Sequence, residues 1–196
     1  MRAALLLAAG GSRRFGRGDK LTARVGGRTL LHHALERAAG TGVQRLVVVI
    51  PSFGGRIGRL AAAAASRSRG MRIVRAARHR DGLGASLAAG LSALRPIDRE
   101  VLIFLADMPL ATVHRRVRLG AGQDALRPVF RGKPGHPMLV RTMVARGIVN
   151  ERGDSGLAGG LSAEGWRGSA ANLIDIDTPA ALRAFRRGHY RAPRSS

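Results

Sequence analysis

With 196 residues and no cysteine, the chain has the length for one domain with a sizeable core and no means of forming a disulfide or a thiolate metal site. No apolar run approaches the roughly 20 residues of a membrane span, and the apolar start lacks an A-x-A-like cleavage site, so a soluble cytoplasmic protein is expected. The net charge of +22 comes from 34 basic and 12 acidic residues, with Lys20 and Lys133 the only lysines, and it is spread along the chain; with one Trp, one Tyr and five Phe, base-stacking platforms are scarce and a nucleic-acid binder is poorly supported.

The charge is then either plain arginine-rich composition or a field that attracts polyanions, nucleoside triphosphates among them. In chain order, residues 3–8 read as a buried strand that stops at Gly10-Gly11. Ser12-Arg13-Arg14-Phe15-Gly16 and Lys20 follow, so residues 10–20 form a loop. Its glycines let the main chain approach an anion, and Arg14 and Lys20 can neutralise one. The loop fits neither G-x-x-x-x-G-K-[ST] nor G-x-G-x-x-G, and an ordinary turn after a strand would look similar.

Leu30, Leu31, Ala34, Leu35 and Ala38 fall at helical spacing, predicting a helix over Thr29 to Ala39 that ends before Gly40. Residues 45–50 are a second buried strand, ended by Pro51; 54–68 a helix; 71–75 a short strand; 83–94 a helix; and 101–106 a fourth, wholly apolar strand. This alternation predicts a parallel sheet covered on both faces by helices. Beyond it the pattern weakens. Strands are expected at 126–130 and 138–140 around a Gly/Pro/Lys loop, with a weak helical pattern and many glycines over 142–165. A late strand at 172–176 and a helix from Thr178-Pro179 to about Arg187 complete the pattern. No repeat or linker divides the chain: a single domain is expected over 1–187, followed by a disordered tail over 188–196.

Among so few carboxylates, Asp107, Asp175 and Asp177 sit at the ends of apolar runs. Open parallel sheets bind ligands outside the carboxyl ends of their strands. The Gly10 loop and Asp107 follow such ends, and Asp175 and Asp177 join them if the late strand is similarly placed. Asp107, followed by Met108-Pro109, is either a helix cap or a ligand for Mg²⁺, which takes one or two carboxylates beside substrate phosphates. Asp175 and Asp177 alternate onto one side of a strand, and Asp177 is equally a natural N-cap. Asp81-Gly82-Leu83-Gly84-Ala85-Ser86-Leu87 is a glycine turn into a helix, where backbone or Ser86 can meet a base or ribose or simply cap. His136, in Pro134-Gly135-His136-Pro137, is given no role as a base; Gly153-Asp154-Ser155-Gly156 turns toward a second substrate or is only a turn.

Taken in order, Leu7-Ala8-Ala9-Gly10-Gly11-Ser12-Arg13-Arg14-Phe15-Gly16 with Lys20-Leu21, then Gly84-Ala85-Ser86-Leu87 and Ala106-Asp107-Met108-Pro109, resemble the MobA-like nucleotidyltransferases. Gly135-His136-Pro137, Gly153-Asp154 and Asp175-Ile176-Asp177-Thr178-Pro179 extend the resemblance to about residue 187, and it is nearest to the molybdenum cofactor cytidylyltransferase branch. The resemblance implies a Rossmann-like α/β fold of the nucleotide-diphospho-sugar transferase type, with a mostly parallel sheet and helices on both faces. It also implies Mg²⁺-dependent transfer of a nucleoside monophosphate from a triphosphate to a phosphorylated acceptor, with release of pyrophosphate.

By the same resemblance Leu7, Ala8, Ala9, Gly10, Gly11, Ser12, Arg14, Lys20, Gly84, Ser86 and Asp107 would bind the nucleotide. Arg14, Lys20 and Asp107 would be catalytic, Asp107 and Asp177 would hold the metal, and His136 and Asp154 would face the acceptor. Ala9, in L-A-A-G rather than L-A-G-G, leans toward CTP over GTP; the expected acceptor is molybdopterin, with a molybdoenzyme as partner. The chain departs from the pattern on the acceptor side: a short segment between Asp107 and Pro128, Ala111-Thr112-Val113-His114 for the usual threonine-proline helix start, and Leu157-Ala158-Gly159-Gly160 after Asp154. The alternatives are a guanylyl- or sugar-phosphate nucleotidyltransferase of the same fold, or a non-catalytic binder of a cofactor or nucleic acid.

Overall fold

Apolar runs build the centre of the molecule as four neighbouring parallel strands: β5 (Met71–Arg75), β4 (Leu46–Ile50), β1 (Arg2–Leu7) and β6 (Glu100–Leu105), in that spatial order. The computed structural model describes residues 1–10, 15, 19–152 and 161–189, apart from the side chains of 150–152 and 189. Gly11, Ser12, Arg14 and Asp154 lie outside the described residues, as does most of the expected tail.

β1 and β4 are buried almost end to end because helices cover both of their faces. Ala4, Leu6, Val48, Leu102 and Phe104 point to one side, against α1 (Leu30–Ala39) and α2 (Arg56–Ala65). Their neighbours Leu5, Val47, Val49, Val101 and Ile103 point to the other, against α3 (Leu83–Ser92) and α4 (Thr142–Arg152). This is the period of two expected of a strand. α3 packs tightly on the sheet at Gly90, where a Cβ would come within 2.9 Å of Val49 Cγ2.

Past β6 the sheet continues through β9 (Met138–Arg141), β7 (Ala125–Phe130) and β10 (Glu164–Arg167), with β8 (Lys133–Pro134) paired to β7. β9 runs antiparallel to both β6 and β7, so the sheet is mostly parallel rather than wholly so. A separate hairpin, β2 (Arg24–Val25) and β3 (Arg28–Thr29), turns through Gly26 and Gly27 at φ 58° and 78°. α5 (Pro179–His189) seats Leu182 and Phe185 against Val25 of this hairpin, Leu30 and Ile176. None of the described helices is long and apolar enough to cross a membrane.

Two expectations are corrected. Residues 172–176 are not a strand: Ala170–Asn172 is a 3-10 turn, and the segment after it pairs with no strand. The reason is Asn172, whose buried amide donates to the carbonyls of Thr112 and His136, both at 2.7 Å, and so anchors the backbone by side-chain bonds instead of a ladder. The end of the 142–165 stretch, read as weakly helical, begins β10, which fits beside β7 because Gly165 has no side chain to meet Val129. The last helix ends at His189, close to the expected end at about Arg187.

Candidate active site

β1 and β6 run in register to Leu7 opposite Leu105, and Ala106 N–H donates to the Leu7 carbonyl at 3.1 Å. Ala8-Ala9-Gly10 and Asp107 therefore leave the sheet side by side. Ala8 and Ala9 are buried, whereas Gly10 is exposed, and beyond its chain neighbours no atom of the described residues lies within 4 Å of where its side chain would begin.

Lys20 reaches this edge from a 3-10 turn, Lys20–Thr22, capped by Asp19, whose carboxylate accepts from Leu21 N–H at 3.1 Å. Its ammonium, 5% exposed, donates to Asp107 Oδ2 at 2.7 Å and also to Asp177 Oδ1. Burial alone would lower the Lys20 pKa, but the Asp107 and Asp177 carboxylates outweigh it and raise it above the ordinary lysine value.

The late acidic segment is brought in by the main chain. Ile176 N–H donates to the Asp107 carbonyl at 3.0 Å, and the Ile176 side chain is fully buried beneath α5. With Ile176 pinned inward, its two neighbours Asp175 and Asp177 turn toward Asp107, and one oxygen from each of the three carboxyls lies within 4.8 Å of the others. Asp175 is pushed up to about 6, by burial first and then by the Asp107 and Asp177 carboxylates, against the opposing pull of Lys20. Three oxygen donors held together against one described ammonium suit a hard divalent cation, and the donor set therefore fits Mg²⁺.

His136 lies between β8 and β9, joined to Pro137 by a cis peptide. Its pKa is lowered to about 4 by burial and then by the Arg127 charge, Asp107 pulling the other way, so the imidazole is neutral near pH 7. Arg127, on β7, has its Nε buried with no hydrogen-bond partner among the described residues. Ser86 and Gly84 are buried at the start of α3, on the sheet face that also holds Leu7 and Ala9, with Leu87 beside them in the apolar layer.

Lys20, Asp107 and Asp177, far apart in sequence, thus meet directly. Asp175 joins them although it was not put among the metal ligands; the sign of it was the alternation of acids about an apolar residue in Asp175-Ile176-Asp177. Arg127 had no signal in the sequence, since one arginine among so many carries no information until the fold half-buries it where its charge acts on His136.

Comparison with known proteins places these features in context. The model of the MobA-like NTP transferase domain matches residues 4–166. The bifunctional protein GlmU of Caulobacter vibrioides is 34% identical over 112 residues, covering 57% of this chain and 23% of GlmU, so the match spans less than a quarter of that relative's length. A nucleotidyl transferase from Methanothermobacter superposes with a TM-score of 0.78 at 22% identity, covering 96% of this chain and 97% of its own. Molybdopterin-guanine dinucleotide biosynthesis protein A from Archaeoglobus fulgidus superposes at 0.64 with 18% identity, covering 94% of this chain. Both show the same α/β fold.

Proposed function

The chain belongs to the MobA-like NTP transferase family, and from that premise we propose that it transfers CMP from CTP to the phosphate of a molybdopterin-type cofactor, with Mg²⁺ as its metal. The observation that carries the reading is the meeting of Lys20, Asp107 and Asp177 where β1 and β6 end. A terminal phosphate oxygen of the acceptor forms a bond to the α-phosphorus of CTP, the bond from that phosphorus to the bridging oxygen breaks, and pyrophosphate leaves. The attacking phosphate is already ionised, so no side chain need take a proton; His136, its pKa lowered to about 4, is a poor proton acceptor, which agrees with that.

Asp107 and Asp177, with Asp175 beside them, would hold Mg²⁺, which when bound neutralises charge growing on the α-phosphate and pyrophosphate. Lys20, cationic throughout the physiological range, supplies fixed positive charge at the same edge. Arg14 and the Gly10-Gly11-Ser12 loop would take the triphosphate, with Leu7, Ala8 and Ala9 leading into it, and Gly84 and Ser86 would serve the base side. His136 and Asp154 are assigned to the acceptor, and Arg127 is added as a cation whose charge acts on His136. CTP is chosen on Ala9 within the family resemblance.

The test is pyrophosphate release from CTP, GTP, ATP and UTP with molybdopterin, for the native protein and Asp107→Asn. Turnover is expected with CTP and a loss of about 10²–10³-fold in the variant, the usual scale for one transition-state electrostatic contact. Turnover with GTP alone would reassign the nucleotide; undiminished turnover in Asp107→Asn would remove Asp107 from the reaction.

A further inference from the structure

At the end of the sheet opposite Lys20, Asp107 and Asp177, the starts of β1 and β6, the approach to β4 and the finish of β9 enclose a cleft of about 770 Å³. Arg2, Arg99, Arg115, Arg118 and Arg141 line it, with Glu100 as its one acid. Glu100 is answered by Arg2 at 2.8 Å. Arg141 donates to the carbonyls of Gln123 and Gly120, both at 2.8 Å, and Arg118 to that of Val117 at 2.9 Å. Those carbonyls orient the two guanidinium groups without cancelling their charge. Arg99 and Arg115 are exposed and have no side-chain partner among the described residues. The cleft therefore holds a surplus of fixed positive charge that no part of the described fold consumes.

Its size is that of a small-molecule site. A concave surface of one charge focuses its field and concentrates counter-ions. Guanidinium forks grip phosphate oxygens in pairs, and arginine is the residue suited to that geometry. No Phe, Tyr or Trp lines the cleft and His114 is its one imidazole, so a single-stranded nucleic acid would find little on which to stack successive bases. A compact polyanion suits the site better than an extended one.

We propose that this cleft binds a small molecule carrying two or more phosphate groups, at a site separate from Lys20, Asp107 and Asp177. The proposal does not depend on which nucleotide or acceptor the protein uses.

Isothermal titration of the full chain with inorganic tripolyphosphate, in EDTA, tests it. Arg99→Glu with Arg115→Glu is expected to weaken binding by at least about tenfold, the scale of losing charged hydrogen bonds. Arg72→Glu with Arg75→Glu, the same change of net charge on the exposed positions of β5, is expected to weaken it by less than about twofold, since remote exposed charges are screened. Lys20→Ala is expected to leave this binding in place. Equal weakening by both charge-reversed pairs, no weakening by the first, or loss of binding in Lys20→Ala would each overturn the proposal. So would a first pair that still binds tripolyphosphate but no longer binds a single-stranded RNA of about 20 nucleotides, which would make the cleft a nucleic-acid surface. If the glutamate pair does not fold, Arg99→Gln with Arg115→Gln is read in its place; a smaller loss in the same direction supports the site and unchanged binding overturns it.

Discussion

Lys20 acts as an internal counter-ion. Its ammonium lies between two carboxylates that would otherwise face each other, with a third close by. Lys20→Ala is expected to destabilise the metal-free protein by about 1 kcal/mol, toward the low end for charged hydrogen bonds because Asp107 and Asp177 keep 25% and 41% of their side-chain exposure. The same variant should gain more in thermal midpoint on addition of Mg²⁺ than the native chain does, since the cation then relieves a repulsion that Lys20 no longer relieves. Melting with and without Mg²⁺ measures both; identical Mg²⁺ shifts would show that Lys20 does not share the metal's ligands.

His136 sets a second residue-scale expectation. It takes a proton only at about pH 4 in the folded chain, against about 6.5 for an ordinary histidine. Between those values the unfolded chain binds a proton that the folded chain refuses, so stability falls as pH falls through that window. In His136→Gln the loss of unfolding free energy from pH 6.5 to 4, read from denaturant melts, should be smaller by up to about 3 kcal/mol at the acid end. An unchanged slope would show that His136 does not carry the effect.

At the scale of elements, the site depends on how closely one loop lies on another. A Cβ on Gly135 would come within 2.2 Å of the Asn172 carbonyl, and backbone there has little freedom to yield, since His136 N–H donates to that same carbonyl at 3.0 Å. Gly135→Ala must push away the segment that leads into Asp175 and Asp177. A cost of about 2 kcal/mol is expected, with turnover falling further than stability explains; denaturant melts and pyrophosphate release read the two separately. Native turnover in this variant would mean that the acidic segment moves independently of the loop.

The same elements show what was legible in the sequence. β1, β4 and β6 were plain because strands covered on both faces must be apolar throughout, and Asp107 was plain because it ends such a run. The acidic segment was found for a partly wrong reason: Asp175-Ile176-Asp177 alternates like a strand, yet it is held by one main-chain bond and one buried isoleucine. β10 was hidden because Glu-Gly-Trp-Arg is an edge of the sheet with little apolar content, and its position depends on a glycine fitting beside Val129. The contact of Lys20 with two carboxylates could not be read from spacing, since it joins segments that only the sheet brings together.

Over the whole molecule, a charge of +22 means that most charges repel. Ion pairs such as Arg2–Glu100 and Arg45–Asp98 answer only a few of the 34 basic residues. Raising NaCl from about 20 to about 300 mM, which shortens the screening length several-fold, is therefore expected to raise the thermal midpoint. A falling midpoint would show that these pairs outweigh the general repulsion.

The order of strands in the sheet has a consequence for synthesis. Everything needed for the β5-β4-β1-β6 unit has left the ribosome once Leu105 has, and its parallel pairs can close early. β7 comes next but lies beyond β9, so apart from the two-residue β8 it has no strand to pair with, and no link to the rest of the sheet, until Met138–Arg141 is made. Asp107 waits longer still, for Ile176 to supply the bond that brings Asp175 and Asp177 alongside. A nascent chain thus acquires its scaffold before its acidic cluster, and translation that stops between Arg167 and Ile176 leaves every strand of the sheet in place with Lys20 and Asp107 as an incomplete pair.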